Sequence, residues 1–155
     1  MSMPKVGLKA PKFKLLNQNN EMVKLEDFKG KKVVLYFYPK AMTPGCTTQA
    51  QCLRDDKKKF DKIDVVILGV SPDEPKRLVK FIEKEKLNFD LLSDVDHQVS
   101  KEYGVWQLKK FMGREFMGVV RTTFIIDENG KIAHVMNEVK TKTHHDDVLD
   151  VLKNL

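Results

Sequence analysis

Short, dense runs of apolar residues alternate with longer stretches in which apolar positions recur at helical spacing. The densest run is Val33-Val34-Leu35-Tyr36-Phe37-Tyr38, β-branched or aromatic nearly throughout. It lacks polar alternation, which predicts a central strand buried on both faces. Val65-Val66-Ile67-Leu68-Gly69-Val70 reads as a second buried strand, Leu91-Leu92 as a short one, and Arg121-Thr122-Thr123-Phe124-Ile125-Ile126-Asp127 as another. Between the first two runs, Cys46 to Asp61 carries Ala50, Leu53 and Phe60 among polar residues, which predicts an amphipathic helix with a thin apolar stripe. Ser71-Pro72-Asp73-Glu74 supplies a second helix start with acidic residues in the first turn, and Leu78, Val79, Phe81 and Ile82 supply its inner face. Asp96 to Tyr103 reads as a short helix ending at Gly104. Thr143 to Leu155 reads as a closing helix with Val148, Leu149, Val151 and Leu152 inward.

Turn residues connect these elements. Asn17-Gln18-Asn19-Asn20-Glu21 lies between two short apolar runs and predicts an N-terminal β-hairpin. Leu25 to Gly30 reads as a single helical turn stopped by Gly30. Asp127-Glu128-Asn129-Gly130 predicts a hairpin turn returning through Lys131 to Met136. The order is β-α-β followed by β-β-α, an α/β arrangement with a mixed central sheet and helices on both sides. One domain over residues 1–155 is expected. Phe111-Met112-Gly113 is echoed at Phe116-Met117-Gly118, a strand or loop pattern. Trp106, Phe111, Met112, Phe116 and Met117 are expected to pack the core or line an approach to the functional site, a docking patch being the lesser alternative.

Composition narrows the field. The chain is 41% hydrophobic and 32% charged without low-complexity segments, so an ordered globular protein is expected. The formal net charge of +6 is spread along the chain, and Lys57-Lys58-Lys59 stands among Asp55, Asp56 and Asp61 as a solvated helix face. Nucleic-acid binding is therefore not the reading. Met1-Ser2-Met3-Pro4-Lys5 has no apolar core of a secretory leader, and no apolar run approaches the ~20 residues of a membrane span. A soluble, cytoplasmic protein is expected. In that reducing setting two cysteines do not suggest a permanent disulfide, so their roles are catalytic, redox or packing. Among His97, His134, His144 and His145, the adjacent pair at 144–145 points in different directions on a helix. No metal or other cofactor is expected.

Cys46 carries the sharpest chemical signal. It follows the densest strand by way of Pro39-Lys40-Ala41-Met42-Thr43-Pro44-Gly45 and opens the next helix. A thiol at a strand-to-helix junction meets the positive end of the helix dipole and free backbone N–H groups, which favour the nucleophilic thiolate. This topology, with a cysteine at the first strand-to-helix turn, resembles the thioredoxin fold. Thr43 stands where a dithiol exchange enzyme would carry its first cysteine, giving Thr-x-x-Cys and weighing against that activity. Pro39, Thr43 and Cys46 instead reproduce the Pro-x-x-x-Thr-x-x-Cys signature of peroxiredoxins. Tyr36 to Lys40 leading into Thr43 to Thr47, together with Asp94-Val95-Asp96-His97, Gly104-Val105-Trp106 and Arg121 to Asp127, is similar to the bacterioferritin-comigratory, or peroxiredoxin Q, subfamily.

The resemblance implies a peroxidase in which the Cys46 thiolate attacks a hydroperoxide and becomes a sulfenic acid, recycled by thioredoxin or a similar dithiol. It implies that Thr43 bonds the peroxide oxygens, that Arg121 stabilises the thiolate and the leaving oxygen, and that Pro39 shields the sulfur. It further implies a monomer without metal, haem or flavin. Relatives often resolve the sulfenic acid with a cysteine five residues on. Here that place is Gln51, and Cys52 follows one position later. Six residues of intact helix separate Cα atoms by ~9 Å, beyond disulfide reach, so a Cys46–Cys52 bond requires unwinding. Two readings stay open: Cys52 resolves after unwinding, or it is idle and an external thiol acts directly. A redox-sensing or chaperone-like binding protein on the same fold is the alternative of a different class.

Overall fold

In the computed structural model, which describes residues 2–155, the Val33–Tyr38 run lies in the middle of a seven-stranded sheet. Met1 lies outside the described residues. The strands are β1 (Lys14–Asn17), β2 (Met22–Lys24), β3 (Lys32–Phe37), β4 (Val65–Ser71), β5 (Asp90–Ser93), β6 (Trp106–Phe111), β7 (Arg114–Val119), β8 (Thr122–Ile126) and β9 (Ile132–Met136). The helices are α1 (Pro44–Asp55), α2 (Lys57–Lys62), α3 (Pro75–Glu85), α4 (Gln98–Glu102) and α5 (His144–Lys153), with a 3-10 turn at Leu25–Phe28. The main sheet runs β2-β1-β5-β4-β3-β8-β9. β3, β4 and β5 are parallel, and β8 lies antiparallel to β3, so the sheet is mixed as expected.

Side chains of β3 alternate between two cores, the period-2 consequence of a pleated strand. Val34, Tyr36 and Tyr38 face one core, with Leu53 of α1, Phe60 of α2, Leu78 and Phe81 of α3 and Val148 and Leu152 of α5. Val33, Leu35 and Phe37 face the other, with Phe13, Val99 of α4, Tyr103 and Phe124. This is the thioredoxin-like architecture, an α/β fold with helices on both faces and the expected N-terminal hairpin β1–β2.

The structure corrects the expectations from sequence at three places. The helix expected from Cys46 to Asp61 breaks at Asp56, whose N–H closes α1 on the Cys52 carbonyl. Aspartate competes for backbone hydrogen bonds and is a weak helix former, and two occur in a row here. Asp73 and Glu74 precede α3 instead of occupying its first turn. Pro75 starts that helix, Asp73 turns inward, and Val79 is half-buried beside the fully covered Leu78 and Phe81. The Phe-Met-Gly echo forms a two-stranded hairpin, β6–β7, apart from the main sheet. Trp106 is half-buried and stacks on His97 at 3.8 Å, but Phe111, Met112, Phe116 and Met117 are exposed and do not pack the core. The basic run at 57–59 matches its reading: Lys57 pairs with Asp61 and Lys59 with Asp56, both within α2 or at its start.

Gly69 in β4 sits where a methyl group would meet Leu91 Cδ2 at 2.8 Å and Tyr36 Cζ at 2.9 Å. Both neighbours are fully covered core side chains, so neither can yield freely. Gly69→Ala is expected to cost about 1–3 kcal/mol through overpacking. That lowers Tm by roughly 3–10 °C for a domain of this size, measurable by calorimetry. An unchanged Tm would show that the core has room there.

Candidate active site

The site is built where β3 ends. Tyr38 closes the strand with a bond from its N–H to the Val70 carbonyl, and Pro39 follows, half-buried, at the start of the loop. The loop reaches Thr43, which takes an extended conformation at the N-cap of α1, and Pro44 occupies the first helical position. Pro is favoured there because its missing N–H is one that the helix would leave unpaired anyway. Cys46 therefore stands in the first turn of α1 and is only 1% exposed, within the core between sheet and helices.

Arg121 comes to this turn from the other side. It immediately precedes β8, whose register against β3 pairs Phe37 with Thr122. Arg121 is thereby brought across from the end of β3. Its Nη2 donates to Cys46 Sγ at 3.4 Å, and its Nη1 donates to Gln49 Oε1 at 2.6 Å. Gly45 gives the guanidinium its place, since a Cβ there would lie 3.3 Å from Arg121 Nη2. The structure thus brings Cys46 and Arg121 into contact. Thr43 lies at the same helix end, but its hydroxyl donates to the Lys40 carbonyl at 2.8 Å, leaving its lone pairs as acceptors.

The loop between Pro39 and Thr43 is held by a pair of residues that carry no signal in the sequence. Asp73 is buried, and its Oδ2 accepts the Ala41 N–H at 2.7 Å and the Ser71 hydroxyl at 2.7 Å. Arg77 Nε lies 3.1 Å from Asp73 Oδ1, and Arg77 Nη2 donates to the Ala41 carbonyl at 2.8 Å. Both polar groups of one loop residue are gripped by one ion pair. The next residue, Met42, has φ of 65°, a left-handed conformation costing a non-glycine residue ~1 kcal/mol, which the clamp helps to maintain. Gln49 is a further residue that the motif does not mark. Its signal was available: it lies three positions after Cys46 in a helix and therefore on the same face.

Behind the sulfur the core is unusually polar. Tyr36 and His144 rings lie 5.8 Å apart, and His144 Nε2 shares a 2.7 Å hydrogen bond with Thr123 Oγ1. Burial pushes the Tyr36 phenol well above its ordinary range, with Tyr38 and Cys46 adding to the shift and Arg121 opposing it. The buried Tyr36 hydroxyl, Gln49 Nε2 and His144 Nδ1 have no partner among the described residues. Cys52 is half-buried on an unbroken α1. Its thiol is pushed up by burial and then by the carboxylates of Asp55, Asp56 and Asp146.

A thiol beneath a guanidinium at a helix N-terminus, on a thioredoxin-like fold, is an arrangement suited to a cysteine nucleophile. The chain belongs to the AhpC/TSA family, whose model matches residues 6–135. It is 56% identical over 150 residues to a putative peroxiredoxin Bcp of Haemophilus influenzae, covering 97% of each chain. It is 54% identical over 153 residues to peroxiredoxin Bcp of Escherichia coli K12, covering 99% of this chain and 98% of that one. Among solved structures it is similar to Xylella fastidiosa PrxQ, with a TM-score of 0.93 at 30% identity, covering 99% of this chain and 98% of that one. It is also similar to the Xanthomonas campestris bacterioferritin comigratory protein, with a TM-score of 0.89 at 32% identity, covering 97% and 98% of the two chains. The protein is a peroxiredoxin, a thiol peroxidase. These likenesses favour the enzyme over a redox-sensing or chaperone-like binding protein.

His144 offers a pH test of the buried polar layer. Its pKa is lowered from 6.5 to about 4. Burial is the main cause; Asp147 opposes it, and Arg121 and His145 add to it. The folded state thus refuses a proton that the unfolded chain accepts, so stability is lost as pH falls from 6.5 towards 4. The linked loss is about 2 kcal/mol by pH 5. Urea unfolding of His144→Gln is expected to show a shallower decline between pH 7 and pH 5 than the parent. Parallel declines would mean that His144 does not carry this term.

Proposed function

We propose that Cys46 is the peroxidatic nucleophile of a thiol peroxidase acting on hydrogen peroxide and organic hydroperoxides. The observation that carries this reading is the 3.4 Å contact between Cys46 Sγ and Arg121 Nη2 in the first turn of α1. The thiolate attacks the outer oxygen of the hydroperoxide, the O–O bond breaks, and the inner oxygen leaves as alkoxide or hydroxide and takes up a proton. Cys46 is left as a sulfenic acid. Arg121 serves both ends of this step, donating to the sulfur and meeting the charge that develops on the leaving oxygen. Gln49 positions Arg121 by holding its second nitrogen. Thr43 offers its lone pairs to the peroxide O–H, and Pro39 screens the sulfur from water. The Xanthomonas campestris relative is described for its alkyl peroxide reduction activity, which supports organic hydroperoxides as substrates here. The enzyme acts as a monomer of one domain over residues 1–155, in the cytoplasm, with a thiol reductant such as thioredoxin.

In the folded protein Cys52 is out of reach of Cys46 along an intact α1, and its thiol is poorly ionised. An external thiol therefore meets the sulfenic acid first, and a Cys46–Cys52 bond closes only when the helix opens. Cys46→Ser is expected to reduce peroxide consumption at least ~1000-fold, since the hydroxyl is a far weaker nucleophile than a thiolate. Equal turnover would remove the assignment.

Intact mass after one equivalent of peroxide reads the resolving step. A gain of one oxygen is expected for the parent. Ala50→Gly weakens α1 by ~1 kcal/mol and is expected to shift the product towards loss of two hydrogens. Immediate loss of two hydrogens in the parent would make Cys52 the first resolving thiol.

Gln49→Ala is expected to lower the second-order rate of Cys46 oxidation about 10-fold without changing the fold, by freeing the guanidinium. Stopped-flow fluorescence of the oxidation step measures it. An unchanged rate would show that the sulfur alone orients Arg121.

A further inference from the structure

The β6–β7 hairpin is the most apolar exposed surface among the described residues. Of the eleven large hydrophobic side chains exposed to solvent there, five lie between Leu108 and Met117: Leu108 at 56%, Phe111 at 67%, Met112 at 87%, Phe116 at 45% and Met117 at 49%. The hairpin forms its own two-stranded sheet, and its register sets Leu108 opposite Met117 and Lys109 opposite Phe116. Exposure of this kind, concentrated on one small element, marks an interaction surface more than a folding need.

The hairpin is joined to the active site. β7 ends at Val119, and Arg121 follows two residues on. At its base Lys109 Nζ donates to the Val119 carbonyl at 3.0 Å. Burial lowers the pKa of the Lys109 ammonium, Arg121 lowers it further and Cys46 opposes the shift. A protein seated on the hairpin from its tip to its base therefore reaches the active-site end of the strands, where Lys109 and Arg121 lie.

Charge selects among occupants. The hairpin carries three basic residues, Lys109, Lys110 and Arg114, and one acidic residue, Glu115, which pairs with Lys110 at 3.6 Å and leaves Lys109 and Arg114 on the opposite face. The chain as a whole carries +6. A second copy would bring like charge to like charge at this patch. A bilayer would match the charge, but it supplies no thiol to the sulfur. An acidic protein dithiol answers both the charge and the chemistry: its carboxylates meet the basic rim, its apolar rim covers Phe111, Met112 and Phe116 on the face that Lys109 shares, and its thiol is directed towards Cys46.

We propose that the β6–β7 hairpin is the docking surface for an acidic protein dithiol that reduces the oxidised enzyme. This rests on the peroxidase reading. In the reducing step a thiolate of the partner attacks the Cys46 sulfenic sulfur, the S–O bond breaks, and the hydroxide takes a proton and leaves as water. The partner's second thiol then displaces Cys46 as thiolate and leaves the partner as its disulfide. Cys46 is reduced by two electrons and the dithiol is oxidised by two.

The test compares a protein dithiol with a small one. Turnover of hydrogen peroxide is measured with thioredoxin and, separately, with dithiothreitol, for the parent, for Phe111→Ser with Met112→Ser, and for Lys110→Glu with Arg114→Glu. All four residues are at the hairpin tip and exposed, so the fold is not at stake, and an unchanged Tm confirms this. Both double variants are expected to raise the KM for thioredoxin at least 10-fold while turnover with dithiothreitol stays at the parent level. The charge-reversed pair is also expected to flatten the dependence of that KM on salt.

An unchanged KM for thioredoxin in both variants overturns the proposal. So does an equal fall with both reductants, which would place the hairpin in peroxide chemistry. A dimer of the parent in sedimentation that the variants dissolve would assign the surface to a second copy. Binding of the parent, but not the variants, to phosphatidylglycerol vesicles would assign it to a bilayer. Absence of peroxide turnover by the parent with dithiothreitol would instead overturn the peroxidase reading itself, which separates the two failures.

Discussion

The arrangement of the site depends on one long-range contact, the guanidinium of Arg121 against the sulfur of Cys46, between residues 75 apart in sequence. Neither residue's own element can create it. It requires β8 to pair antiparallel with β3 in the observed register, because only then does the residue before Thr122 arrive beside the loop that follows Phe37. Slipping the register by one would turn Phe124 and Ile126 away from their core and put Ile125 on the wrong face, so burial of those three side chains fixes the position of the arginine. Packing of the central sheet and assembly of the site are therefore one constraint.

A charged group at such a place is costly unless it is well partnered. Arg121 is half-buried and divides its donors between the sulfur and the Gln49 carboxamide, both on the same face of α1. Gly45 eases the fit by leaving out a carbon that would lie a tight 3.3 Å from the guanidinium. The second arginine, Arg77, does related work on backbone: with Asp73 it grips both polar groups of Ala41 and sets the path of the loop from Pro39 to Thr43. Two ion-rich contacts from separate parts of the chain thus hold the strand-to-helix turn from opposite sides.

The elements with a strong period were legible in sequence: the buried runs at 33–38 and 65–70, the hairpin turn at Gly130 and the inner faces of α3 and α5. The motif at Pro39, Thr43 and Cys46 pointed to the strand-to-helix turn as the candidate site, and the resemblance supplied Arg121, which the fold brings to the same turn. What escaped were features that depend on tertiary neighbours. Asp73 reads as an ordinary helix-start residue, and only the fold reveals that its carboxylate turns inward to Ala41. The break at Asp56 rests on two adjacent aspartates, but the apolar spacing of Ala50, Leu53 and Phe60 runs across it, and only the fold shows His145 Nε2 3.8 Å from the Asp56 carboxylate. The apolar residues of β6 and β7 look like core by composition. A two-stranded sheet standing away from the main one has no opposing layer to bury them, and sequence pattern does not report that.

In the proposed cycle the Arg121–Cys46 contact also bears on the resolving step. Gln51 and Arg54 bond to Glu85 of α3, so the far part of α1 is tied to a neighbouring helix, while Leu53 is fully buried. The near part has no bond to a neighbouring helix; its side-chain ties run to Arg121, through Cys46 and Gln49. Its first N–H groups lack intrahelical acceptors, as at any helix start, and Pro44 and Gly45 contribute little packing. The Arg121 bond to Cys46 is the principal polar tie on that turn. A sulfenic acid carries no fixed negative charge at the sulfur, so oxidation weakens the tie that holds the turn in place. In the proposed cycle the helix consequently opens from its N-terminus, where the oxidised sulfur sits. The Cys52 end keeps its ties to α3 through Gln51 and Arg54.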